Sequence, residues 1–127
     1  MYVKRSLLIR LSDVDNIVKS GAGCKSIETG EDAIFTKLEQ EYCGERLRCL
    51  GARYVSKKCV IDYLANEKGV PGSRYCDLEV INNDLGKPLL RLDRGVHERV
   101  NNLNIKDVLI SISHSKNLIA GMVLFCY

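Results

Sequence analysis

Much of what would mark a specialised protein is missing from these 127 residues. No run of about 18 apolar residues occurs, so no segment reads as a membrane span. No two of the six cysteines (Cys24, Cys43, Cys49, Cys59, Cys76 and Cys126) stand in the C-x-x-C spacing of a zinc site or redox dithiol. Charge of one sign is not in large excess: the net charge is +3, which gives no ground for a nucleic-acid partner. The opening MYVKRSLLIRLSD is broken by Arg10 and is followed by no small-residue cleavage site, so it reads as a strand and not as a secretion signal. With no such signal, the cysteines read as free thiols in a reducing, cytoplasmic compartment, with Cys59 and Cys126 in the core. Repeats, low-complexity tracts and linkers are also lacking. What is present, 46% hydrophobic and 28% charged residues, suits one soluble globular domain spanning 1–127.

The pattern along the chain predicts an α+β fold, a mostly antiparallel sheet packed on one long helix. Residues 2–11 read as a strand, and DVDNIVKS (13–20) as a short helix opened by Asp13. GAGCKSIETGED (21–32) reads as a loop. Thr36 and Glu39 form a Thr-x-x-Glu capping box that opens a helix over 36–43. A long helix follows over 45–66, ended by Gly69, Pro71 and Gly72. Strands at 76–82 and 87–92 flank the turn NNDLG. A brief helix near 95–103 precedes strands at 107–113 and 118–127, joined across HSKN.

The long helix poses a question at RYVSKKCVID (53–62). On a helical wheel, Leu47, Leu50, Ile61 and Ala65 fall within roughly 40° of Tyr54, and so does Lys58; Asp62 lies roughly 80° away. This predicts Lys58 on the inward face. An inward lysine must pair, snorkel or meet an anion, because a lone buried charge is costly. Lys58 and Asp62, spaced i and i+4, can pair, and a lysine stem lying along apolar surface accounts for the pattern equally well.

Five segments in order resemble the holo-acyl-carrier-protein synthases, the small single-domain branch of the 4′-phosphopantetheinyl transferases. They are DVDNIVK after the first strand, FTKLEQEYC at 35–43, GARYVSKKCVID at 51–62, DLEVINNDLGKP at 77–88 and ISISHSKNLIAGMV at 110–123. The resemblance implies transfer of phosphopantetheine from coenzyme A to a serine of an acyl carrier protein, with magnesium bridging the pyrophosphate between two carboxylates. It also implies a homotrimer with coenzyme A between subunits.

Carried over residue by residue, Asp13 takes the place of the first metal ligand. Arg53 and Lys57 match coenzyme A phosphate contacts, Gly86, Lys87 and Pro88 match the Gly-Lys-Pro turn, and His114 matches the Ser-His-Ser histidine. The family's second metal-binding carboxylate falls on Lys58, however, and the lysine that handles the serine proton falls on Asp62. Both charges are inverted. Losing one preorganised charge-stabilising group costs about 10²- to 10³-fold in rate. Lys58 is expected to reach Asp13 or a phosphate, and magnesium at Asp13 is placed in doubt. Lys19 and Lys25 are offset by Asp15, Glu28, Glu31 and Asp32, which thins the basic surface for an acidic carrier protein. The catalytic set under this reading is Asp13, Lys58, Asp62 and His114. Two functions follow: a diverged member that binds coenzyme A, a carrier protein or a paralogous transferase without metal-dependent transfer, or an active transferase with a rewired site. Plainer roles stand beside these: Asp13 as a helix N-cap, His114 and Gly86–Pro88 as turn residues, and Arg53 and Lys57 as solvated helix positions.

Overall fold

A computed structural model describes residues 1–19 and 34–127. The 21–32 loop, with Cys24, Lys25, Glu28, Glu31 and Asp32, lies outside the described residues.

Strand β1 (Tyr2–Arg10) runs directly into helix α1 (Leu11–Lys19). Helices α2 (Lys37–Cys43) and α3 (Leu47–Asp62) follow, and α3 continues as a π-helical turn over Tyr63–Glu67. A short 3₁₀ turn (Tyr75–Asp77) leads into the hairpin β2 (Leu78–Asn82) and β3 (Pro88–Leu92). Helix α4 (Arg94–Asn102), then β4 (Asp107–His114) and β5 (Leu118–Cys126), complete the chain. All strand pairing is antiparallel: one sheet has the order β1-β5-β4, and β2 pairs with β3 in a second. This is the α+β architecture the pattern predicts.

Local chemistry sets the element ends. The Thr36–Glu39 capping box forms as expected: the Thr36 hydroxyl accepts from Glu39 N, and the Glu39 carboxylate accepts from Thr36 N. Asp93 caps α4 by accepting from Val96 N. In β5, Ile119, Gly121, Val123 and Phe125 point inward in strict alternation, and α3 lies across them. The approach is close. A Cβ on Gly121 would sit 2.6 Å from Val55 Cγ2, and one on Gly51 would sit 2.4 Å from Ile119 Cδ1. Side chains of α3 contribute to two buried clusters, one around Val60, Leu64, Leu78 and Phe125, the other around Val14, Phe35, Leu50, Val55 and Ile119.

Three expectations are corrected. First, α1 begins at Leu11, so Asp13 is not the N-cap but lies inside the first turn, paired with Arg10. Second, α3 has no single inward face. The sheet, α1, α2 and β2 cover it on most sides, and its less covered strip carries Tyr54, Lys58, Ile61 and Asp62. Lys58 is therefore a rim residue, and the buried lysine is its neighbour Lys57. Third, the cysteines are not all thiols: Cys43, the last residue of α2, is disulfide-bonded to Cys49 in the first turn of α3. Chain reversal at Gly44, with φ of +57°, brings the two together. Cys59 is buried as expected, and Cys126 is only half-buried.

Candidate functional site

The α2–α3 connection, α3, the β2–β3 turn and the end of β4 enclose a cleft of about 680 Å³. Arg53, Gly86, Pro88 and His114, four of the residues expected to contact a cofactor, line it together with Tyr42, Arg46, Arg48, Cys49 and Asn82. Lys87 is in the same turn but is not among the lining residues.

Arg53 is the anchor. It is 4% exposed, and its Nη2 donates to Asn82 Oδ1 at 2.5 Å. Its guanidinium carbon lies 4.9 Å from the Tyr42 ring centre, a stacking geometry that holds the group against the cleft wall. Burial pulls its pKa below the ordinary arginine value, opposed by Glu39. Its Nε is buried with no hydrogen-bond partner among the described residues, which is a costly state for a donor.

The turn is braced from within. Asn82 Nδ2 donates to Gly86 O at 2.9 Å, and Asn83 Oδ1 accepts from Leu85 N and Lys87 N. Gly86 has φ of +81°, the left-handed conformation that favours glycine. On the opposite wall, Arg48 Nη2 donates to Lys116 O at 2.8 Å, tying α3 to the β4–β5 turn beside His114. Arg46 donates to Cys43 O and Tyr42 O and stacks on the Tyr42 ring. Three guanidinium groups thus face a cleft with no carboxylate among its described lining residues. That chemistry suits a polyanion with phosphate groups. Arg46, Arg48, Tyr42 and Asn82 were not singled out in the sequence; the R-L-R spacing just ahead of Arg53 was the available signal.

The other expected site residues lie elsewhere. Lys57 is fully buried. Its ammonium is ion-paired with Glu39 and donates to Ile34 O at 2.7 Å. Glu39 also accepts from Val80 N at 2.9 Å, so this pair ties α2, α3 and β2 together. Burial lowers the pKa of Lys57, and Glu39 opposes that shift. In this fold the Lys57 ammonium faces Glu39 and Ile34 O and not the arginine cleft. Lys58 pairs with Asp62 at 3.2 Å, with side chains 34% and 47% exposed, and not with Asp13. Asp13 lies 3.3 Å from Arg10 Nε. Among the described residues no ion pair joins Asp13 to Lys58. Among the described residues, no three histidine, cysteine or acidic side chains cluster as a metal site would.

No family model matches the chain. A holo-[acyl-carrier-protein] synthase from Dehalococcoides mccartyi is 33% identical to it over 90 residues, 71% of this chain and 73% of that protein. Two solved structures share the fold. The Chronobacterium ammoniagenes enzyme in complex with coenzyme A superposes with a TM-score of 0.74 at 21% identity, covering 100% of this chain and 98% of that one. The Helicobacter pylori holo-[acyl-carrier-protein] synthase, also in complex with coenzyme A, gives 0.71 at 16% identity, covering 95% and 97%.

Proposed function

This chain belongs to the holo-[acyl-carrier-protein] synthase family of 4′-phosphopantetheinyl transferases, and from that premise we propose that it binds coenzyme A in the Arg53 cleft without metal-dependent transfer. The Lys58–Asp62 ion pair carries the second half of this reading. It places an ammonium where the family resemblance implies a magnesium-binding carboxylate, and it neutralises the only acid nearby on that strip of α3. Asp13, the remaining carboxylate of the implied set, is engaged by Arg10. Magnesium takes oxygen ligands in near-octahedral geometry, and a single carboxylate already paired with an arginine does not fit it. No step is therefore routed through a metal.

Binding is supported by the cleft itself. The Arg46, Arg48 and Arg53 guanidinium groups that line it would offer charge-assisted hydrogen bonds to phosphates, worth about 1.5–3 kcal/mol each. His114, Gly86 and Pro88, which line the same cleft, would orient the rest of the ligand. Self-association as a homotrimer is supported by the outer face of the β1-β5-β4 sheet, where Tyr2, Leu8, Leu109 and Leu118 lie exposed on one side; light scattering would read the mass. An acyl carrier protein, or a paralogous transferase, is the partner this fold would meet.

The experiment has two readouts. Calorimetry measures coenzyme A binding, expected for the parent protein and weakened about 10-fold or more in Arg53→Ala. Mass spectrometry of an apo acyl carrier protein incubated with coenzyme A and magnesium measures transfer. No mass shift is expected from the parent. Lys58→Glu with Asp62→Lys is expected to gain some. A magnesium-dependent shift from the parent at a rate close to that of an active family member would establish the rewired-transferase reading instead.

A further inference from the structure

The disulfide stands at an unusual place. Cys49 lines the arginine cleft, while Cys43 is 1% exposed and packed among Val14, Phe35 and Leu50. Cys49 is therefore the member of the pair that borders the cleft, and Cys43 is the member packed in the core. The cleft wall is cationic: Arg46, Arg48 and Arg53 line it, with no carboxylate among its described lining residues. Arg46 lies within the seven-residue ring that the disulfide closes, and Arg48 is next to Cys49, so anions drawn into the cleft arrive beside this sulfur.

We infer that Cys49 is a site of reversible mixed-disulfide formation with an anionic low-molecular-weight thiol that enters through the arginine cleft. The incoming thiolate attacks Cys49 Sγ, a new S–S bond forms to Cys49, the Cys43–Cys49 bond breaks, and Cys43 leaves as the thiolate. The reverse attack by Cys43 on Cys49 restores the ring and releases the thiol. No outside oxidant or reductant is consumed. Attack at Cys49 follows from access, one of the factors that govern thiol–disulfide exchange. Cys59 is a poor competitor: burial, reinforced by Asp62, pushes its thiol up to about 11, far from the thiolate form at neutral pH. Where the thiol is coenzyme A itself, the inference rests on the reading given above; where it is another anionic thiol, it does not.

The test compares reagents that share one sulfur chemistry. The Cys43→Ser variant, whose Cys49 cannot be recaptured, is treated with coenzyme A disulfide, with pantethine, which has the same thiol arm but no phosphates, and with glutathione disulfide. Rates are normalised to those of a cysteine peptide, and adducts are mapped by mass. A reductant-reversible adduct on Cys49 is expected, formed at least about 10-fold faster with an anionic reagent than with pantethine at low salt. That advantage should collapse near 1 M salt. If glutathione disulfide matches coenzyme A disulfide, carboxylates suffice; if it matches pantethine, phosphates are the recognised group. Equal rates for all three, or an adduct on another cysteine, overturn the inference. Should Cys43→Ser fail to fold, the parent disulfide is opened with coenzyme A or with pantetheine and acid-quenched, and the same ratio is read. Calorimetry of coenzyme A on Cys49→Ser separates the two ideas. Binding without any anion advantage in exchange sinks only this inference, and an advantage for glutathione without coenzyme A binding sinks only the preceding reading.

Discussion

Lys57→Met separates two incompatible roles for one residue. The family resemblance makes Lys57 a phosphate contact, whereas the fold makes it one half of a buried ion pair. In the fold, Glu39 Oε1 accepts from Lys57 and from Thr36 N, and Oε2 accepts from Val80 N. Neither side chain of the pair is exposed. Removing Lys57 leaves the carboxylate two backbone donors, without its directly bonded counter-charge and with Arg53 as the remaining cation nearby. Breaking a buried pair from one side costs about 3–5 kcal/mol. With urea m-values of about 1–3 kcal/mol per molar for small proteins, the unfolding midpoint should fall by about 1 M or more. The pair also predicts non-additivity: Lys57→Met with Glu39→Gln should cost less than the sum of the two single changes, because no lone charge is left buried. Circular dichroism against urea, at a constant m-value, reads the stability, and coenzyme A calorimetry on the same samples reads binding. A midpoint within about 0.3 M of the parent, together with coenzyme A affinity reduced 10-fold or more, would refute the structural role and restore the phosphate role.

Two further changes probe the framework around the site. Gly121→Ala places a Cβ 2.6 Å from Val55 Cγ2 and 3.2 Å from Val55 Cβ, a stiff neighbour with the α3 backbone behind it. A loss of about 1–3 kcal/mol is expected, recovered in part by adding Val55→Ala; a single mutant as stable as the parent in thermal melts would mean that α3 rides higher over the sheet. Glu79 gives a pH signature. Burial would raise its pKa, but the Thr36 hydroxyl and Arg91 outweigh burial and hold it below the ordinary carboxylate value of 4.5. A lowered folded value means that its stabilisation is fully present above the unfolded pKa and is lost as pH falls through the folded one. The stability gap between the parent and Glu79→Gln should therefore be constant above about pH 5 and shrink in more acid solution. A gap that stays constant down to pH 3 counts against the assignment.

The parts of this fold that were legible in the sequence are those set by local chemistry. Thr36 and Glu39 announce α2 because the box is completed within four residues. DVLISIS and LIAGMVLFCY, separated by the short polar HSKN, read as two strands, and the β4–β5 pairing follows. Helix α3 misled for a physical reason. A helix covered on most sides spreads its buried residues around its circumference, so the wheel lacks a single apolar stripe, and the strip centred on Tyr54 is the less covered one. The burial of Lys57 was hidden because its counter-charge, Glu39, sits on another helix 18 residues away. The disulfide was hidden because a six-residue separation matches no familiar spacing, and only the reversal at Gly44 brings the sulfurs together. At the site, Arg53, Gly86, Pro88 and His114 converge on one cleft, but Asp13 and Lys58 do not meet within a chain, a relation no linear pattern encodes.

The strand order β1-β5-β4 has a kinetic consequence. Strand β1 pairs with β5, far along the sequence, in register from Tyr2 opposite Cys126 to Arg10 opposite Leu118. The β4–β5 hairpin can form from neighbouring residues, but β1 must wait for a loop of nearly the whole chain to close, and that entropy is spent before the pairing rewards it. During synthesis β1 therefore leaves the ribosome long before its partner exists. Its alternating apolar residues stay unpaired through that interval, which makes this strand the segment most exposed to mispairing while the molecule is being made.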